Sequence, residues 1–450
     1  MEEKSTHKHS FFKKVLTLGS GTAIAHILLF VSTPVLTRLY QPESMGAYAL
    51  FMSVASVFIA ISSGKLEMAV VVAEEEKEGI EILHASWITH VLWSLIFYLL
   101  WSVLLVFDPF QILNFIDYKL LALVPVFGGM QLLFESLKQW ALRKEAFKIM
   151  SFSNLIKAIA TIIIQIGFAL VFVANVWALV AGIVLSLLLG NRWMWNLYKN
   201  DKNNNKVKIS KYRYKVIVEK YKKFPRFTSP SILLNAIVLQ IPVWVLSGLS
   251  MALTGLYNIA ERVLQAPLLL VGHSVGQVFY KNAQMLKADQ DALQKLTWKV
   301  YRSLFYLMLL PYFILFYWGQ PIFSWILGEK WLQAGLIAGF LAPQLLFNFS
   351  VSPISNLWYV FNRNQQGVYF QGILLMGRLS IVLLFYLFSW EWMDLLKYLG
   401  LFGAIVYGLL AWSFLKRLGL KTISFLLQIL LPLLLLHGIM EFVMLFNFSQ

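Results

Sequence analysis

The chain has no cysteine among its 450 residues, which excludes disulfide staples and thiolate metal sites. Charge is scarce too. Only 13% of residues are Asp, Glu, Lys or Arg, while 59% are hydrophobic and the mean hydropathy is +0.68. A soluble core cannot hide so much apolar surface, so the two or three soluble domains usual for this length are excluded, and so is disorder. Catalytic signatures are missing as well: there is no Walker loop, H-E-x-x-H, G-x-S-x-G or kinase pattern. The seven histidines are scattered without metal-ligand spacing. Acidic pairs occur only in apolar runs or in the solvated Glu74–Glu81 stretch, and loops on one side are too short for a catalytic domain. These absences point away from an enzyme, and no cofactor is expected.

What remains is apolar runs. A spanning helix needs roughly 20 residues, and runs near that length fall at 15–37, 46–66, 84–107, 119–140, 151–173, 176–197, 228–248, 252–277, 300–320, 336–360, 368–389, 395–415 and 423–446. Outer-membrane barrels would instead alternate over about ten residues. The expected fold is therefore an all-α polytopic membrane protein with twelve core transmembrane helices and a thirteenth at the end. Links at Ala174–Asn175 and Leu249–Met251 nearly fuse neighbouring spans. The first run is too long for a signal-peptide core and lacks a small-x-small cleavage site, so it reads as a retained helix.

The formal charge of +16 is a matter of location. With the N-terminus inside, 27 basic residues fall in cytoplasmic segments, and the opposite loops hold only Arg38, Lys119, Lys330 and Lys397. This positive-inside asymmetry orients the chain and accounts for the excess charge without nucleic acid. The tract Lys199–Arg226 reads as a cytoplasmic connector that touches membrane lipid headgroups. Trp325 and Trp331, with Trp390 and Trp392, fit an interfacial aromatic belt.

The connector divides the chain into a cytoplasmic segment (1–14), an N-lobe of helices 1–6 (15–197), the connector (198–227), a C-lobe of helices 7–12 (228–415) and the extra helix (423–446). The halves share a pattern. Pro34, Gly46 and Tyr48 match Pro242, Gly255 and Tyr257, with Pro-to-Gly intervals of 12 and 13. Two six-helix lobes around a central cavity suit alternating access.

Ionisable groups at bilayer depth need a bundle interior, a wet cavity or a snorkelling route. At about 1.5 Å per residue, Arg262, Arg378 and His26 lie near the midplane. Glu261 adjoins Arg262 but points about 100° away on a helix. Lys65 and Glu67 sit at the inner end of the second span, and Glu135 and Lys138 are spaced to pair. Lys138, Lys157, Arg192 and Arg302 can snorkel. Deep arginines suit a phosphate or pyrophosphate, to which a guanidinium donates paired hydrogen bonds. A sugar attached to that phosphate could use Asn235, Gln240 and Gln165.

Three stretches carry a resemblance: Thr37–Phe51 (TRLYQPESMGAYALF), Ser63–Gly79 (SGKLEMAVVVAEEEKEG) and Gly255–Gln284, which holds Arg262 and Pro267. The first two resemble the opening of bacterial polysaccharide-biosynthesis flippases of the multidrug/oligosaccharidyl-lipid/polysaccharide exporter superfamily, and the third resembles that family's eighth helix. The resemblance implies flipping of undecaprenyl-pyrophosphate-linked oligosaccharide across the bacterial inner membrane for O-antigen, capsule or exopolysaccharide export. It also implies membrane lipids and polysaccharide polymerase or export proteins as partners, and coupling to a proton gradient, a sodium gradient or the membrane potential. It assigns Arg262 to the pyrophosphate and makes Lys65 the counterpart of a basic residue in helix two, while the depth of the charged groups adds Glu67, Arg378, Glu261 and His26 as cavity candidates. The helix-one arginines of lipid II flippases have no counterpart between Val15 and Thr37, which argues against lipid II itself. The alternative is a cation-coupled multidrug exporter of the same superfamily. A major-facilitator carrier would show a basic signature where this chain has AEEEKEG.

Overall fold

The structure, a computed structural model, describes residues 21–107, 117–201, 209–361 and 363–434. Among these, twelve helices are long and apolar enough to cross a membrane. They are α1 (Gly21–Leu39), α2 (Pro42–Ser62), α3 (Glu76–Phe107), α4 (Tyr118–Arg143), α5 (Phe147–Val171), α6 (Val176–Asn200), α7 (Phe224–Leu249), α8 (Met251–Met285), α9 (Gln290–Leu327), α10 (Glu329–Val351), α11 (Gln365–Leu387) and α12 (Trp392–Arg417). The described residues contain no strand. The thirteenth span begins as a short apolar helix, Thr422–Leu434. Its remainder lies outside the described residues, as do the 1–14 segment and the middle of the connector.

Local chemistry sets the ends. The side chain of Asn175 accepts from the Ala178 amide and separates α5 from α6. Pro42 opens α2, where a missing N–H costs nothing. At the other end of α2 the chain turns through Gly64 (φ 59) and Lys65 (φ 56) into a tight helical turn, Leu66–Val72. Glycine suits the first of these left-handed positions. Several helices outrun their apolar runs: α3 starts eight residues earlier than its run, and α9 extends on both sides of its own, with a kink at Trp318. Hydropathy marks the lipid-depth portion of a helix, not the turns that protrude from it.

The chain forms two compact units. The first comprises residues up to Val263 with Gln320–Ala334, and the second Leu264–Gly319 with the chain from Gly335 onward. These boundaries differ from a division at the connector, because α7 and the start of α8 are bound into the first unit. Trp244 of α7 donates to Ser53 of α2 (2.9 Å), and Ser229 donates to the Ala60 carbonyl (2.9 Å). The core of the first unit is aromatic and aliphatic, centred on Phe51, Phe127, Phe134, Trp140 and Leu187. In the second unit Tyr301, Phe305, Phe347 and Phe425 make consecutive ring contacts. Large apolar side chains elsewhere face outward: Leu99, Leu100 and Val106 of α3 are all more than 60% exposed. Such surface fits hydrocarbon, not water.

Candidate functional site

Arg262 is held in the first unit by α8, which meets α1 where that helix breaks at Ser32. Pro34 has no N–H to offer the preceding turn. Around this break the Leu29 carbonyl accepts from the Ser32 hydroxyl (2.8 Å), the Thr33 hydroxyl (3.3 Å) and Nη2 of Arg262 (2.7 Å). Arg262 is half-buried and has Tyr48 as an electrostatic neighbour. A guanidinium has five donors, so one bond to Leu29 leaves capacity for a ligand.

Lys65 and Glu67 lie beyond the end of α2, in the turn after it. Their charged ends are 3.8 Å apart, and both side chains are nearly covered. The second carboxylate oxygen of Glu67 has no hydrogen-bond partner among the described residues. His26 and Glu261 are half-buried on α1 and α8. Arg378 belongs to the second unit, where it is buried in α11 with the Tyr407 phenol as an electrostatic neighbour. Asn235 and Gln240 are half-buried on α7. Gln165 is committed elsewhere: its amide donates to the Leu179 carbonyl (3.0 Å) and its own backbone carbonyl accepts from Tyr40 (2.7 Å), tying α5 to α6 and to the residue after α1.

The α1–α2 turn is fastened by two residues of the segment Gln320–Ala334. The Trp331 indole donates to the Thr37 carbonyl (2.8 Å), and the Lys330 ammonium donates to the Tyr40 carbonyl (2.7 Å). Trp331 is fully buried, which removes it from the aromatic belt; Trp325 is 82% exposed. The two repeat glycines meet each other here. A Cβ on Gly46 would lie 1.9 Å from the Met251 carbonyl oxygen, and one on Gly255 would lie 1.9 Å from that of Pro42. Each obstructing carbonyl sits four residues before the opposite glycine, so the α2–α8 crossing has local two-fold character.

The acidic stretch at the start of α3 is solvated at Glu74, Glu75 and Glu76 but not at its far end. Glu81 is 2% exposed and pairs with Arg213 of the connector helix Lys211–Lys220. Glu78 pairs with Lys220, and Lys144 bridges Glu76 and Asp201 (2.7 Å to the latter). Arg143 donates to the Val70 carbonyl (2.9 Å) and the Ala73 carbonyl (2.6 Å). The described part of the connector thus binds protein carboxylates. Burial pushes the Lys144 ammonium down, but its hydrogen bonds to Asp201 and Glu76 outweigh this and hold its pKa above the usual lysine value. The Glu81 carboxylate raises Arg213 in the same sense. Removing one member of a buried pair strands the other. Arg213→Ala should therefore lower stability by about 2 kcal/mol, less than the 3–5 kcal/mol of a fully buried pair because the guanidinium is part-exposed. Thermal melts of the purified protein in detergent would read this, with Glu81→Gln/Arg213→Ala recovering much of the loss.

Sequence reading missed His90, whose Nε2 lies 3.2 Å from the Pro125 carbonyl, because a lone histidine in an apolar run carries no pattern. It also missed Arg143 and Trp331, which act on distant backbone. Among the described residues no cluster of metal-ligating side chains occurs.

The fold matches that of solved membrane transporters. One is a multidrug resistance MATE family transporter of the MOP superfamily in an inward-facing conformation (TM-score 0.68, 11% identity, 89% of this chain and 95% of the other). A second is the lipid II flippase MurJ in an inward closed conformation (TM-score 0.69, 14% identity, 95% and 93%). A third is a point mutant of the Vibrio cholerae MATE transporter VcmN (TM-score 0.55, 12% identity, 92% and 98%). At these identities the likeness is one of fold. None of the curated proteins matches the chain. The sequence profile of the family described as "Polysaccharide biosynthesis protein" matches residues 35–335, which covers the α1–α2 turn, the buried Lys65–Glu67 pair, Arg262 and the Lys330–Trp331 fastening. With that match across two thirds of its length and twelve helices long and apolar enough to cross a membrane among the described residues, this multi-pass membrane protein belongs to the polysaccharide biosynthesis protein family.

Proposed function

We propose that the protein flips undecaprenyl-pyrophosphate-linked oligosaccharide units across the bacterial inner membrane by alternating access, for export of a surface polysaccharide. The observation that carries this reading is the family match over residues 35–335, joined to a fold shared with a lipid II flippase over 95% of the chain. Arg262 is the group assigned to the pyrophosphate, because a midplane guanidinium requires a wet or anionic setting and can donate paired bonds to phosphate oxygens. Lys65 oriented by Glu67 would add positive potential in the first unit, with His26 and Glu261 tuning it, and Arg378 would be the deep positive group of the second unit. Coupling runs through a cation gradient or the membrane potential.

The experiment is complementation of a flippase-deficient strain, with surface polysaccharide and accumulated lipid-linked units both measured. Restored export with loss of the accumulated intermediate is expected; a well-expressed protein that leaves the intermediate unprocessed would overturn the reading. The MATE likeness supports a second reading, a cation-coupled drug exporter. That reading expects lowered drug susceptibility in the same strain without polysaccharide export.

The orientation belongs to the proposal. Since the chain has no native cysteine, Lys215→Cys in the exposed connector helix can be labelled alone. It should resist an impermeant maleimide in intact cells and react after permeabilisation. Labelling from outside would invert the topology.

A further inference from the structure

We infer that the basic end of α11 and α12 holds a binding site for one anionic glycerophospholipid. Two adjoining cavities of about 360 Å³ and 240 Å³ open there, sharing Trp358, Gln366 and Arg417 in their walls. The smaller also has Arg363 in its wall. The larger continues along the groove between the helices, past Tyr369, Ile373 and Leu409 to Val406.

Three features select the occupant. The first is charge. Both arginines line one small cavity, neither is ion-paired among the described residues, and no lining residue is acidic. Gln366 accepts from Nη1 of Arg417 at 2.7 Å, which fixes that guanidinium at the mouth with its other donors available. Such a pair fits a phosphodiester. The second is the apolar wall. Trp358 packs on Phe370 and Phe414 (centroids 5.8 and 5.4 Å) and makes a rigid floor, while Tyr369, Ile373 and Leu409 are exposed at 71%, 57% and 56% on the rim. This is a lipid-facing groove, not a sealed core.

The third is length. From Arg417 to Val406 is eleven residues, about 16 Å of helix rise, close to half of the ~30 Å hydrocarbon core. A groove that starts at headgroup level and ends near the midplane fits an acyl chain confined to one leaflet. A longer polyprenyl chain would not end there. The basic residues at this end, Arg363, Lys416, Arg417 and Lys421, place it by the positive-inside distribution in the cytoplasmic leaflet.

The test is native mass spectrometry of the purified full-length protein, titrated in detergent with phosphatidylglycerol, phosphatidylcholine, inorganic phosphate and a polyprenyl phosphate. Phosphatidylglycerol should be retained in preference to phosphatidylcholine. Arg363→Gln/Arg417→Gln should weaken it about thirtyfold, the contribution of two basic residues at an anionic headgroup. Ile373→Trp, which fills the groove and leaves both arginines, should weaken it as well, and it carries the test if the double variant fails to fold. Equal retention of phosphatidylcholine, displacement by inorganic phosphate, tighter binding of the polyprenyl phosphate, or parent-like binding by the folded variants would each overturn the assignment.

Discussion

Arg262→Ala should abolish polysaccharide export while leaving the protein in the membrane. The side chain has two tasks that alanine removes together. It donates to the Leu29 carbonyl at 2.7 Å beside the break in α1, and it presents further donors for an anionic group. Losing a hydrogen bond to a charged group costs about 1.5–3 kcal/mol, or roughly tenfold to over a hundredfold in binding if one phosphate contact is lost. Two further substitutions probe the charge. Arg262→Lys keeps the charge without the planar fork and should retain part of the activity. Arg262→Gln carries no charge and ends two bonds short of the Nη2 that reaches Leu29, so it should be as inactive as alanine. Export in a flippase-deficient strain, normalised to protein level, is the readout. Normal export by a well-expressed Arg262→Ala protein would remove the residue from the mechanism, and full activity of Arg262→Gln would show that its charge is not used.

The spans were legible because a hydrocarbon solvent leaves only continuous apolar helices, and their near-fusions at Ala174–Asn175 and Leu249–Met251 are where α5 gives way to α6 and α7 to α8. What the sequence could not supply was the use of charge at helix ends. Glu74–Glu81 looks solvated as a string of letters. Glu81 is buried because a connector more than a hundred residues later folds back to neutralise it. Trp331 looks like a belt residue for the same reason: its partner, the Thr37 carbonyl, is 294 residues away. Pairings within one helix were readable, and Glu135 and Lys138 do pair, at 3.5 Å. Pairings between helices depend on packing that periodicity does not encode.

The repeat glycines are the exception, since a recurrence seen in sequence became a physical contact, and they support the second large effect. Gly255 and Arg262 are seven residues apart, so the face of α8 that crosses α2 is also the face that carries the arginine. Close approach at Gly46 and Gly255 thereby sets how near Arg262 comes to Tyr48 and to the break in α1. A methyl at either glycine would lie 1.9 Å from a backbone carbonyl oxygen. Ordinary contacts need about 3.5 Å or more, so the helices must part by roughly 1.5 Å. Gly46→Ala and Gly255→Ala should each lower thermal stability in detergent by about 1–3 kcal/mol. The double variant should cost clearly less than the sum, because the first methyl opens the gap that the second occupies. Gly248→Ala is the control: nothing among the described residues lies within 4 Å of its added carbon, and it should be neutral or slightly stabilising through helix propensity. Strictly additive losses at 46 and 255, or a loss at 248 as large as theirs, would show that the α2–α8 crossing does not govern this part of the fold.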